Sequence, residues 1–178
     1  MKKTAFSGKR DYMSVDENRY DFNFDTITTS AGNLSEAFWE LTGELSKTFS
    51  IDKAVLILRK PEDDRLAAVS TWRQGQVRDG LTISLPCQSS LFEKVAEHGQ
   101  VYTENFTGSF SGNLFEQRLL LDDSSRSFVV HPLKAEGRIV GFLGFSSEQP
   151  TAFTVMEEGA LEELAAKFGS FILNTSER

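Results

Sequence analysis

The stretch Arg126-Ser-Phe-Val-Val-His-Pro-Leu-Lys-Ala-Glu-Gly-Arg-Ile-Val-Gly-Phe-Leu-Gly-Phe-Ser146 decides how this chain folds. Two apolar runs, residues 128–133 and 139–145, flank a polar tip at 134–138 that contains Gly137. Runs of this length, rich in Val, Ile and Phe and divided by a short Gly-containing turn, predict an antiparallel hairpin. Neither run alternates with polar residues, so both strands are expected mid-sheet with both faces covered.

Upstream, Leu34, Phe38, Leu41, Leu45 and Phe49 recur at steps of four, three, four and four, which marks one helical face. Asn33 and Glu36 form its N-cap pair. Residues 54–58, all apolar, are too few for a helix and read as a central strand. A turn at 61–64 leads into a second strand over 66–72, and Gly75 and Gly80 mark the loop before a third over 81–85. Such short connections leave no room for crossover helices, so the sheet is expected to be largely antiparallel. Ser90 and Glu93 form a capping box whose helix stops at Gly99. A short strand over 101–106 follows. The Gly/Ser stretch 107–113 is either a lid or a plain connector, and 114–121 reads as a short helix.

Downstream of the hairpin, Pro150 breaks the chain and Thr154 with Glu157 forms another capping box. Leu161, Leu164, Phe168 and Phe171 then follow heptad spacing along a last helix to about Leu173. Residues 1 to about 30 are polar, without sustained period, and read as a flexible arm that contributes little to folding. Within it, the Tyr20–Phe24 alternation offers at most a short strand. Residues 31–178 remain as a single domain.

With 178 residues and fifteen Phe, the chain suits one self-sufficient core. Cys87 is the single cysteine, so an internal disulfide is excluded and a reducing compartment is expected. No run approaches the roughly 20 apolar residues of a membrane span. The first residues carry lysines without the apolar run of a signal peptide. Cytoplasmic location, with no membrane partner, is the expectation. A net charge of −7 argues against a nucleic-acid surface, which needs a basic stripe.

Individual residues allow two readings each. Trp72, Phe106, Phe110 and Phe128 either line an apolar cavity or belong to the core. Cys87, just ahead of a helix start, is a redox-sensitive or ligand-contacting thiol or an ordinary half-buried side chain. His131, inside an apolar strand, is a ligand or a hydrogen-bonded structural histidine. Arg118 and Arg126 flank Asp122 and Asp123, and either pair with them or meet an anionic ligand. No catalytic constellation, Gly-rich phosphate loop or metal-ligand cluster emerges.

The element order, with the phrasing of residues 54–58, 90–95, 99–101, 127–133, 139–145 and 153–165, resembles GAF domains across 33–173. The resemblance implies an α+β fold of GAF/PAS-like type. A central antiparallel sheet of five to six strands would carry the N- and C-terminal helices on one face. Short helices and loops would cover a pocket on the other. Cyclic-nucleotide-binding members carry an Asn-Lys pattern that this chain lacks. Bilin-binding members use a cysteine commonly followed by His, whereas Gln88 follows Cys87 here. Haem would need a pocket histidine, and only His98 and His131 exist. Sulfoxide reductases of this fold use several cysteines, because a resolving thiol must recycle the sulfenic acid.

The resemblance therefore implies a sensory or regulatory module without catalytic activity. Its ligand would be an unidentified small molecule, with Trp72, Cys87, Phe106, Phe110, Arg126, Phe128 and His131 as candidate pocket residues. The signal would leave through association with a signalling protein. The alternatives are a dimerisation scaffold whose pocket is filled by its own side chains and, behind it, a methionine-R-sulfoxide reductase. A homodimer through the first and last helices is expected, because Trp39, Leu161, Phe168, Phe171 and Ile172 exceed what one sheet face needs.

Overall fold

The computed structural model describes residues 24–60, 65–78, 83–86, 90–105, 109–153 and 155–176. The chain runs α1 (Phe24–Ser30), α2 (Leu34–Thr48), β1 (Lys53–Lys60), β2 (Arg65–Arg73), β3 (Gln76–Arg78) and β4 (Ile83–Pro86). It continues with α3 (Leu91–His98), β5 (Tyr102–Asn105), α4 (Leu114–Leu120), β6 (Ser127–Ala135), β7 (Arg138–Ser147) and α5 (Val155–Ser176).

The quoted stretch is β6 and β7, joined at Glu136-Gly137. Both turn residues have positive φ, 49° and 73°, the geometry that matches strand twist in a two-residue hairpin. Both strands are buried along most of their length because each lies inside the sheet, whose order is β3-β2-β1-β7-β6-β5 with β4 also on β2. Every pairing is antiparallel. The sheet has seven strands rather than the expected five or six. The additional one is β3, three exposed residues that the sequence reading leaves in a loop. It forms because Gln74 and Gly75 make a second two-residue turn with positive φ at both positions.

Two apolar clusters cover the two faces of the sheet. On one, α2 buries Phe38, Leu41 and Leu45, and α5 adds Leu161, Leu164 and Phe168. Asn33 caps α2 as expected, its side chain accepting from the Glu36 N–H at 3.0 Å. On the other face, α3 contributes Leu91, Phe92 and Val95, and Leu120 enters from α4. Ser90 caps α3 and Gly99 ends it with φ 61°. Helix α5 continues to Ser176, past the expected end near Leu173. The capping box placed at Thr154 falls outside the described residues.

The arm boundary needs correction. Phe24–Ser30, assigned by sequence to a flexible arm, is helix α1, with Phe24 and Ile27 buried in the core. The Phe24 ring meets Phe168 edge-on, with centroids 6.2 Å apart. Two apolar positions are too few to display a period, and they pack into the cluster that α2 and α5 share with the sheet. This contact also disposes of the expected exposed stripe. Leu161, Phe168 and Ile172 are at most 5% exposed within the single chain. Phe171 packs partly against the same cluster. Trp39 is half-buried, and its indole N–H donates to Ser70 Oγ at 2.6 Å. The apolar surplus on the first and last helices is thus met by α1 and the sheet.

A bulge decides which face receives the end of β2. The β1–β2 register shifts between Leu56 and Ile57, leaving Val69 as the extra residue. Before it, Leu66 and Ala68 join the α3/α4 cluster; after it, Ser70 and Trp72 point to α2. An unbroken alternation would have kept all four on one face.

At the hairpin end, Lys134 is approached from both sides. A Cβ added to Gly169 of α5 would lie 2.4 Å from the Lys134 carbonyl oxygen, so only glycine allows the helix this close to the strand. On the other side, a Cβ on Gly99 would lie 3.6 Å from the Lys134 ammonium.

Candidate functional site

The family resemblance places a pocket under the short helices. There the apolar side chains meet one another. Phe128 is fully buried, with Phe110 at 5.4 Å and Tyr102 at 5.9 Å between ring centroids, and Phe92 packs on Phe142 at 5.1 Å. Of the candidate pocket residues, Phe110 and Phe128 are therefore brought together, as mutual packing. Trp72 and His131 lie on the opposite, long-helix face: Trp72 packs with that cluster, and His131 is edge-on to Phe145. For Trp72 the reason is the Val69 bulge. Arg126 is exposed, and its backbone N–H donates to the Ser147 carbonyl at 2.7 Å. Cys87 and Phe106 lie outside the described residues.

Glu116 organises the same layer, although only 1% exposed. Its carboxylate accepts from the Asn113 N–H at 2.9 Å, closing the α4 capping box, and from the Phe92 N–H at 3.3 Å in the first turn of α3. One carboxylate thus serves two helix N-termini, where negative charge is favoured. The spacing Asn113–Glu116 signals the box in sequence; the link to α3 has no local signal.

A cleft of about 290 Å³ opens beside α4. Lys53, Thr71, Arg73, Gln76, Arg78 and Ile83 line it from β1 to β4, and Arg118, Leu119 and Asp122 from α4 and the residues just after it. The Lys53 side chain is 13% exposed, and its ammonium donates to the Arg118 carbonyl at 2.9 Å and the Leu121 carbonyl at 3.1 Å. A strand lysine therefore caps the C-terminal end of α4. Burial lowers its pKa below 10.5, and the Asp122 carboxylate opposes that shift. Asp122 sits 3.4 Å from Lys53 and 2.9 Å from Arg73. Asp122, which the sequence reading offers as a partner to Arg118 and Arg126, is thus engaged by Lys53 and Arg73 instead, and both of those arginines are exposed. Lys53, Arg73 and Arg78 escape sequence reading because strand-end cations ordinarily read as solvated boundaries. Among the described residues, no group of three or more His, Cys, Asp or Glu could hold a metal ion.

His131 gives a pH prediction. It is fully buried, neither ring nitrogen has a hydrogen-bond partner among the described residues, and burial lowers its pKa from 6.5 to about 3. Between these values the unfolded chain binds a proton that the folded chain does not. Stability from this group is thus full above pH 6.5 and is lost as pH falls toward 3. The slope approaches ~1.4 kcal/mol per pH unit, giving about 2 kcal/mol by pH 5. Urea melts of wild type and His131→Leu at pH 7.5 and 5.0 should diverge by that amount, the variant being the less acid-sensitive. Parallel curves would remove His131 from the acid response.

A family model described as GAF domain matches residues 33–174. The GAF domain of a phosphoenolpyruvate-protein phosphotransferase from Coxiella burnetii superposes with a TM-score of 0.71 at 17% identity, over 86% of this chain and 90% of that one. The GAF domain of a two-component sensor histidine kinase from Bacillus halodurans gives 0.68 at 19%, over 82% and 97%. The free methionine-R-sulfoxide reductase from Neisseria meningitidis, solved with its substrate, gives 0.62 at 18%, over 83% and 81%. No curated protein matches the chain. Likeness at these identities speaks to fold, and among the described residues no helix is long and apolar enough to cross a membrane. With the family match spanning four-fifths of the sequence and the antiparallel sheet between two helical layers, the chain belongs to the GAF domain family.

Proposed function

We propose that this GAF domain is a non-catalytic regulatory module of the cytoplasm, which takes a small molecule in the cleft beside α4. Its output is association, with a second copy or with another signalling protein. The observation that carries this reading is the bond from Lys53 on the central strand to the last carbonyls of α4. A molecule that draws on Lys53 changes the seating of that helix, so occupancy and conformation are linked. Against catalysis stands the single cysteine, which leaves no second thiol to resolve a sulfenic acid.

Native mass spectrometry of freshly purified protein should reveal a bound molecule that is released on unfolding. Free methionine-R-sulfoxide should meanwhile be reduced at the same background rate by wild type and Cys87→Ser. Robust turnover abolished in Cys87→Ser would restore the enzyme reading. Protein that purifies empty, and gains no thermal stability from a cell metabolite extract, would favour the self-filled scaffold. The packing of Phe128 against Tyr102 and Phe110 is the observation on that side.

A further inference from the structure

Resting on that reading of the cleft, we propose that its ligand is a small diacid, two phosphate or carboxylate groups joined by a short frame. The whole chain carries a net charge of −7, yet here Lys53, Arg73, Arg78 and Arg118 face the single carboxylate of Asp122. That carboxylate is already engaged by Lys53 and Arg73. Among the described residues, no carboxylate lies within ion-pair distance of Arg78 or Arg118.

The two guanidinium groups come from different elements, Arg78 from β3 and Arg118 from α4. Each presents a planar fork that pairs with one acid group through parallel N–H donors. Two separate forks therefore select two acid groups over one. In the same cleft the Lys53 ammonium is largely removed from water, so an anion placed beside it gains more than it would at an open surface. Ile83 and Leu119 supply apolar wall for the joining atoms. A volume of about 290 Å³ lies at the small end of ligand sites, roughly 300–1,000 Å³, and suits a compact diacid better than a nucleotide or peptide.

The test is calorimetric titration of the whole chain with inorganic pyrophosphate, succinate and neutral succinamide. At least one diacid should bind with one-to-one stoichiometry, and succinamide should not. Arg78→Gln and Arg118→Gln should each weaken binding by about tenfold or more. Both residues are exposed, so the variants should melt with wild type in diacid-free buffer. Lys47→Gln on α2, a surface cation on the other side of the sheet, should leave affinity unchanged. The inference is overturned if neither diacid binds below about 10 mM, where under 3 kcal/mol of binding free energy remains. Equal binding to both arginine variants, or to succinamide, overturns it as well. A neutral molecule found by native mass spectrometry would overturn the diacid while sparing the sensor reading. An empty protein that also ignores both diacids would overturn the two together.

Discussion

Gly169→Leu should lower stability by roughly 3 kcal/mol or more, the upper end of the range for overpacking. For a chain of this length that corresponds to a melting point lower by about 6–12 °C. Even the first added carbon, at 2.4 Å from the Lys134 carbonyl oxygen and 2.9 Å from its amide nitrogen, meets backbone that cannot rotate away. Helix α5 must then lift from β6 along the face that buries Phe168 and Ile172. Gly43 in α2 supplies the control, because a Cβ there meets nothing within 4 Å. Gly43→Ala should stabilise by about 0.5–1 kcal/mol through helix propensity alone. Denaturant melts that moved both variants in the same direction would show that close approach at Gly169 is not what holds α5 down.

Removing the two anchors of α1 should cost nearly as much as any single lesion of the core. Phe24→Ala and Ile27→Ala delete side chains that are 7% and 9% exposed. Buried Phe-to-Ala and Ile-to-Ala changes cost about 3–5 and 2–5 kcal/mol. Because α1 lies at the edge of its cluster and can relax, the pair is expected to lose roughly 5 kcal/mol, or 10–20 °C in melting temperature. The effect should be shared with Phe168, whose ring Phe24 touches. A double-mutant cycle with Phe168→Leu should therefore be non-additive. If the double alanine variant melts within a degree or two of wild type, α1 does not pack on the body, and residues 24–30 return to the flexible arm.

What the sequence disclosed follows from how local each signal is. The hairpin announced itself because two apolar runs and Gly137 are contiguous. Helices α2 and α3 were legible through caps within a single turn or two, and α4 only as a short, mostly apolar run at 114–121. Helix α1 was hidden because two buried apolar positions, Phe24 and Ile27, are too few to show a period. Trp72, offered as a pocket residue, lies on the long-helix face for a different reason: the extra residue at Val69 turns the strand over, and it is visible only against β1. The cleft was the least legible feature. Its cations come from β1, β2, β3 and α4, and what makes them a group is that Asp122 satisfies two and leaves two. Arg118 and Arg126 were both suspected of meeting an anion; only Arg118 lines the cleft, and the Asp122 offered as its partner is held by Lys53 and Arg73.

Lys134 carries a consequence for how a signal crosses the sheet. Its backbone bears on Gly169 of α5 and its ammonium lies beside Gly99, the left-handed cap of α3. Helix α3 is in turn fastened at its other end to α4 through Glu116, and α4 ends on Lys53 in the cleft. The hairpin end therefore works as a fulcrum: a tilt of the short-helix layer about it is met directly by the long terminal helix, without passing through the apolar interior. Two glycines and one lysine set the gear ratio of that linkage, and none of them lines the cleft.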